Sequence, residues 1–491
     1  MPASSDGTTA PGAPSVMPSG LFRKLLRRIV ILIAFGYGLC LVDRSNMGLA
    51  QLQMTEDLGM SQALFGAASS IFFATYTTLQ MPANHFLTKI GPRRALATYA
   101  ISWGVLSAAH GFATSTTQIM ILRLLLGVAE SGYYPGCVFV LSQWFPMQLM
   151  GQANAIFGVL SGILTAPISS SGGWIMDVLD GACGLRGWRW LFLLQGLPSV
   201  PLGIILLWVF DDSPADASFL DPAEQKHILE HAATVHPLQA KTTGGAHRDG
   251  SSPSPLGLTA AIRRLIVLPG TWIFGTTWFA FSVTMYTMSF FIPRITKDIM
   301  ADWSLTVISL FQLVPGTIGL VGSILIARWS DEGGAGRKAV VIWGMPVVRE
   351  LGTVALEVPL ALAAAQGSAG VAEGKFLFVM AQLVLVWLVQ SPGVFWAQHV
   401  KNTPSDILPI SIAFINTFGQ VGGLVGPLVF GLIHDGLPPT CANLSSSCPA
   451  QWGVPLLALN GTTSVLMSTM AVLAFRVGYM RDGPRGAPLL V

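Results

Sequence analysis

The chain has 491 residues, of which 10% are charged and 52% hydrophobic, with 27 Lys+Arg set against 24 Asp+Glu. A soluble domain runs at roughly 25% charged, so this composition excludes an ordinary soluble globular protein. A net charge of +3 is too small for a nucleic-acid partner, because phosphate binding needs a dense basic face. Five cysteines without a CxxC or Cys/His cluster exclude an evident zinc or iron–sulfur site.

A helix crossing the hydrocarbon of a bilayer needs about 20 mostly apolar residues. The sequence predicts twelve such runs in chain order: 29–52, 64–87, 95–113, 118–143, 151–175, 188–210, 266–293, 304–328, 339–364, 375–399, 405–434 and 452–477. Residues 1–28 read as a disordered cytoplasmic tail that ends in Arg23, Lys24, Arg27 and Arg28. The first run is too long for a signal peptide and contains Asp43-Arg44, so it reads as a retained helix. Nineteen Lys/Arg fall in segments on the N-terminal side of the membrane and five on the other, with Arg44, Arg123 and Arg349 inside spans. Basic loops stay in the cytoplasm, which predicts that both ends are cytoplasmic, 478–491 being a second tail.

The longest hydrophilic stretch, 211–265, divides an N-terminal six-helix half (29–210) from a C-terminal one (266–477). Span five contains Ala166-Pro167 and ends Gly173-Trp174-Ile175-Met176-Asp177. Span eleven contains Gly426-Pro427 and ends Gly431-Leu432-Ile433-His434-Asp435. The loops after spans two and eight are both rich in glycine and basic residues, around Lys89–Arg94 and Asp331–Lys338. The expected fold is therefore an all-α membrane protein of 12 transmembrane helices in two pseudo-symmetric six-helix halves. That is the major facilitator architecture, in which the substrate site lies between the halves near the midplane.

Charged side chains inside spans carry the functional signal. Each costs about 3 kcal/mol at the bilayer centre, so each faces the bundle interior, a partner or a polar path. Span one carries Asp43-Arg44-Ser45-Asn46, and span four carries Arg123 and Glu130. Seven residues is nearly two turns, so Arg123 and Glu130 share a helix face, with Gly127 between them. Arginine offers carboxylates a planar two-toothed fork and stays charged. A buried carboxyl is pushed towards neutrality by desolvation and towards ionisation by a nearby arginine, the balance that proton coupling uses. The set predicts a proton-driven importer of an organic anion. The structural alternative is that the four groups only tie the N-terminal half together.

These segments resemble the anion:cation symporter family of the major facilitators, particularly its bacterial tartrate, phthalate and sugar-acid permeases. The resemblance lies in Leu41–Gly48, in Phe72-Phe73 through Tyr76, in Pro82-Ala83-Asn84, and in Gly91-Pro92-Arg93-Arg94. It continues in Arg123–Gly132, Pro135-Gly136, Trp144-Phe145-Pro146 and Gly187–Phe192. In the second half it rests on Phe395-Trp396, Ile415-Asn416-Thr417, Gly422-Gly423 and Gly426-Pro427. The resemblance implies that Arg44 holds the substrate carboxylate and that Asp43 and Glu130 carry protons. Arg123 would pair with a carboxylate as part of the switch, and Tyr76, Trp396 and Asn416 would line the pocket. Thr88, Met147–Met150 and Gln195 depart from the family pattern, and Arg349, Glu350 and Glu357 have no counterpart in it. These departures bear on the substrate more than on the transport class.

Weaker signals have plainer readings. The central loop contains His227, His231 and His236, the first two one turn apart, but without a third ligand at fixed geometry they fit a solvated loop helix better than a metal site. His85, His110, His399 and His434 are scattered through the spans or at their ends; a proton-relay member is one reading of such a residue, and a hydrogen-bonded interfacial residue is the plainer one for each. Cys441 and Cys448 lie in an outside loop where a disulfide can form.

The expected function is import of a tartrate-, sugar-acid- or phthalate-like carboxylate by proton symport with alternating access, in the cell membrane. The expected partners are the anion, protons and the bilayer; the protein is expected to be a monomer, with no cofactor beyond the proton gradient. An organic-anion exchanger or exporter, or a carboxylate-sensing transceptor, are the rival readings. An enzyme would need a nucleophile–base set or metal ligands in the spans, and none is evident.

Overall fold

The computed structural model describes residues 17–235, 258–332, 340, 392–404, 407–436 and 452–477. Within them every regular element is helical. Span nine, the first part of span ten, Arg349, Glu350, Glu357, His236, Cys441 and Cys448 lie outside the described residues.

The N-terminal half is built from α1 (Ser19–Asp57), α2 (Gln62–Ile90), α3 (Pro92–His110), α4 (Thr116–Trp144), α5 (Met147–Val178) and α6 (Gly187–Val209). A linker carries α7 (Pro222–Val235) and α8 (Leu258–Val267). The C-terminal half shows α9 (Pro269–Ile299), α10 (Leu305–Phe311), α11 (Leu313–Glu332), α12 (Pro392–Asn402), α13 (Leu408–Gly436) and α14 (Gly453–Val477). Among the described helices, six are long and apolar enough to cross a membrane: α1, α4, α6, most of α5 and α13, and α14 to Ala474. Val105, Ile163 and Trp208 are exposed on the outside of the bundle, where a bilayer rather than water would receive them.

The first helix begins earlier than the sequence suggests. Ser19–Leu25 is α-helical and Leu26–Val30 forms a π-helical turn, so the basic cluster Arg23–Arg28 rides on α1 instead of a disordered tail. The reason is local packing. Leu21, Leu25, Ile29 and Val30 are buried in the main apolar core, and that burial holds the amphipathic stretch in helix. The arginines project from its other face.

Span four is two helical pieces, Thr116–Glu130 and Tyr133–Trp144, interrupted at Ser131-Gly132. Span six is likewise interrupted at Leu197-Pro198. In span six the proline cannot donate to the helical ladder. In span four the Ser131 hydroxyl donates back to the Val128 carbonyl at 2.8 Å, and side-chain bonding of this kind competes with the backbone.

The halves meet through α1 with α9, α2 with α13, and α5 with α10. Phe65 packs edge-on to Phe291 at 5.4 Å, and Phe73 lies 4.5 Å from the Tyr286 ring. Gly48 faces the Ser289 and Phe290 backbone, and Gly66 faces the Pro427 carbonyl. These contacts lie in the half of the bundle away from Met17, which we call the distal end. The structure is closed there.

Candidate functional site

Four of the sequence-predicted residues gather at mid-bundle on α1, α2 and α4. Arg44 Nε donates to Glu130 Oε2 at 2.9 Å, and Glu130 is fully buried. The guanidinium carbon lies 4.4 Å from the Tyr76 ring centroid and 5.2 Å from that of Phe72. Tyr76 and Phe72 are themselves stacked at 5.4 Å. One plane of Arg44 is thus spent on aromatic faces, a favourable cation–π arrangement. Its edge is spent on a carboxylate.

The pairing differs from the one that helix periodicity suggests. Arg123 and Glu130 do share a face of α4, yet Glu130 takes its hydrogen bond from Arg44 on α1. Arg123 is fully buried, and none of its three guanidinium nitrogens has a hydrogen-bond partner. It lies 4.9 Å over the Phe72 ring and interacts electrostatically with Glu130, Arg44 and Asp43. Both guanidinium groups therefore lie close to the Phe72 ring, and of the two arginines Arg44 makes the ion pair with Glu130.

Asp43 points elsewhere. Ser107 on α3 donates to its Oδ1 at 2.7 Å, and its Oδ2 has no partner. Adjacent helical residues are turned about 100° apart, so Asp43 and Arg44 address different neighbours. Glu130 Oε1 is also without a partner. Two buried carboxyl groups thus each hold one satisfied and one free oxygen.

Gly127 makes this geometry possible. A Cβ there would overlap the Thr75 hydroxyl and the Phe72 carbonyl oxygen. Thr75 Oγ1 donates across the same contact to the Leu124 carbonyl at 2.8 Å. The absent side chain lets α2 lie on α4, and so brings Phe72 and Tyr76 under Arg44.

Sequence reasoning missed three members. Cys40 donates from Sγ to Glu130 Oε2 at 3.0 Å and accepts from Arg44 Nη2 at 3.5 Å. Its position four residues before Arg44, on the same face, was the available signal. Tyr286, from the C-terminal half, interacts electrostatically with Arg44, and its hydroxyl donates to Gln420 Oε1 at 3.4 Å. No motif marks Tyr286. His110 is fully buried beside Arg123 and stacks on Phe192 at 5.0 Å. The interfacial expectation for it is corrected, because the apolar end of α6 covers it.

Trp396 and Asn416 are not joined to this group by any contact among the described residues. Trp396 belongs to an aromatic cluster with Trp278 (5.3 Å), Phe395 (5.5 Å) and His399 (5.9 Å). Asn416 stands one turn before Gln420 on α13 and shares its face.

The sequence profile described as Major Facilitator Superfamily matches residues 33–427. A candidate tartrate transporter of Agrobacterium vitis is 32% identical over 86% of this chain and 90% of its own length. A candidate metabolite transport protein of Pseudomonas putida, NicT, is 30% identical over 84% of this chain and 88% of its own. Among solved structures, a bacterial homologue of the human lysosomal transporter Spinster, in an inward-facing and unoccupied conformation, superposes with a TM-score of 0.69. It shares 14% identity and covers 95% of this chain and 100% of its own. The chain belongs to the Major Facilitator Superfamily and is a multi-pass membrane transporter, not an enzyme.

Proposed function

We propose that this protein imports an organic carboxylate together with protons, by alternating access, across the cell membrane, with both chain ends in the cytoplasm. The observation that carries the reading is the single ion pair between Arg44 and Glu130 at 2.9 Å. A substrate carboxylate and Glu130 compete for one guanidinium. Protonating Glu130 frees the Arg44 edge for the substrate, whereas an ionised Glu130 takes it back. Substrate and proton thereby arrive and leave together.

Asp43 offers a second protonation site, with Ser107 as its donor and the Arg123 charge nearby. The uneven distribution of Lys/Arg supports the orientation. A carboxylate substrate agrees with the name of the Agrobacterium vitis relative. The coupling ion is the proton, no cofactor takes part, and the monomer is the working unit.

The test is uptake into proteoliposomes under an imposed inward proton gradient, offering tartrate, galactonate, glucuronate, phthalate and a neutral sugar. Accumulation of one acid but not the sugar is expected. Glu130→Gln should abolish gradient-driven accumulation while leaving exchange of preloaded substrate. If Glu130→Gln accumulates substrate with wild-type pH dependence, the coupling role is wrong.

A further inference from the structure

The repeated Gly-x-x-x-Asp ends of spans five and eleven take no part in the site described above. They lie at the distal end, each at the C-terminus of a long helix, and each touches the other half of the molecule. Asp177, closing α5, accepts from the Thr306 backbone N–H at 2.7 Å, from the Thr306 hydroxyl at 2.6 Å, and from the Leu305 N–H at 3.3 Å. These are the first donors of α10. Asp435, closing α13, accepts from the Ala63 N–H at 2.7 Å, in the first turn of α2.

The two contacts are the same contact made twice, in opposite directions. Each receiving helix opens on a serine, Ser61 or Ser304, whose hydroxyl accepts from the N–H three residues on at 3.3 Å. The local serine serves the third donor, and the aspartate from across the interface serves the earlier ones. Four residues before each aspartate stands a glycine. A Cβ on Gly173 would overlap the Leu305 carbonyl oxygen, and one on Gly431 would overlap the Gln62 carbonyl oxygen. These are again equivalent atoms of the two receiving helices.

An unfilled helix N-terminus presents free N–H groups and partial positive charge, and a carboxylate is its strongest simple partner. Asp212 caps α3 in the same way through the Arg93 N–H at 2.9 Å, but it stands just past the end of α6, on the same side of the linker as α3, and among the described residues it makes no contact of this kind with the C-terminal half. Asp177 and Asp435 differ in this respect. When the distal end opens, both carboxylates and both helix ends must separate.

We infer that Asp177 and Asp435 form a paired latch that holds the distal gate shut, and that their loss shifts the resting population towards the distal-open state. At the size usual for a helix cap, each should weigh that equilibrium by about fivefold, and the pair by about thirtyfold.

The experiment is a distance measurement by pulsed electron resonance on the full chain in nanodiscs. Spin labels replace Glu56 and Asp302, which are exposed at the distal end on opposite halves. The unmutated latch should give mainly the short distance. Asp177→Ala with Asp435→Ala should raise the longer distance strongly, and each single change should raise it by less. Asp177→Leu with Asp435→Leu keeps the branched side-chain shape and also removes the acceptor, and it supplies the answer if the alanine pair does not fold. An unchanged distribution in a folded double variant would overturn the latch. The readout needs neither substrate nor proton gradient, so its failure is separate from any failure of the proposed transport reaction.

Discussion

Asp43 and Arg44 are consecutive on α1 and are held by different helices: Ser107 of α3 binds the carboxylate at 2.7 Å, while Glu130 of α4 binds the guanidinium at 2.9 Å. One turn of α1 therefore reads two neighbours at once. A rotation of α1 would therefore act on both contacts at once, at the place where the proposed function needs protonation and substrate release to be linked.

Arg44→Lys should abolish uptake. The lysine keeps the charge but loses the Nε donor aimed at Glu130 and the flat face laid on Tyr76. Initial-rate uptake in proteoliposomes should fall by at least tenfold, while the thermal transition stays within a few degrees of the parent. Full activity would remove Arg44 from the carboxylate contact.

Tyr76→Phe and Tyr76→Leu separate the ring from its hydroxyl. Phenylalanine keeps the aromatic face under Arg44, whereas leucine gives up a contact worth about 0.5–2 kcal/mol. The leucine variant should raise KM about 2- to 30-fold, and the phenylalanine variant should change it much less. Equal effects of the two would place the hydroxyl, not the ring, in control.

Gly127→Ala should be costly for one added methyl group. Backbone and side-chain atoms of α2 occupy the space on the far side, so the helices must part. Overpacking of this kind costs about 1–3 kcal/mol. Thermal unfolding followed by size-exclusion should register the loss, and Gly158→Ala, where a Cβ meets nothing within 4 Å, serves as the control.

The docking of linker helix α7 should weaken in acid. Lys24 Nζ lies 2.6 Å from Glu224 Oε2, and this hydrogen bond holds the Glu224 carboxyl below its ordinary value of 4.5. A carboxyl with a depressed value stabilises the docked form above its free value, and the contribution is lost as pH falls through the lower bound value. Relative to the intrinsic exchange rate at each pH, protection across 222–235 should therefore be high at neutral pH and fall from about 4.5 downwards. Glu224→Gln should remove that pH dependence.

The spans that fall on described residues and the four intramembrane charges were legible because their signals are local: a run of apolar residues, and ions where ions are expensive. Helix phase even placed Arg123 and Glu130 on one face. It could not choose Arg44 as the partner of Glu130, because that choice depends on how closely α1 and α4 approach, which Gly127 and the ring of Phe72 decide together. Tyr286 was illegible for a related reason. It reaches the site from the other half, and no spacing within α9 encodes what α2 presents to it. The start of α1 was misjudged because Arg23–Arg28 look like a solvated tail until the leucines between them are seen to be buried.

The distal contacts also say something about the two halves as separate objects. Each half offers one carboxylate plug, at the end of α5 or α13, and one main-chain socket, at the start of α2 or α10. A unit with one plug and one matching socket is self-complementary under a two-fold rotation, as an isologous dimer interface requires. Two copies of either half could close on each other with the same pair of contacts. Since the donors at Ala63 and Leu305 are peptide N–H groups, side-chain replacements there leave them intact, and only the Thr306 hydroxyl adds a side-chain donor to a socket.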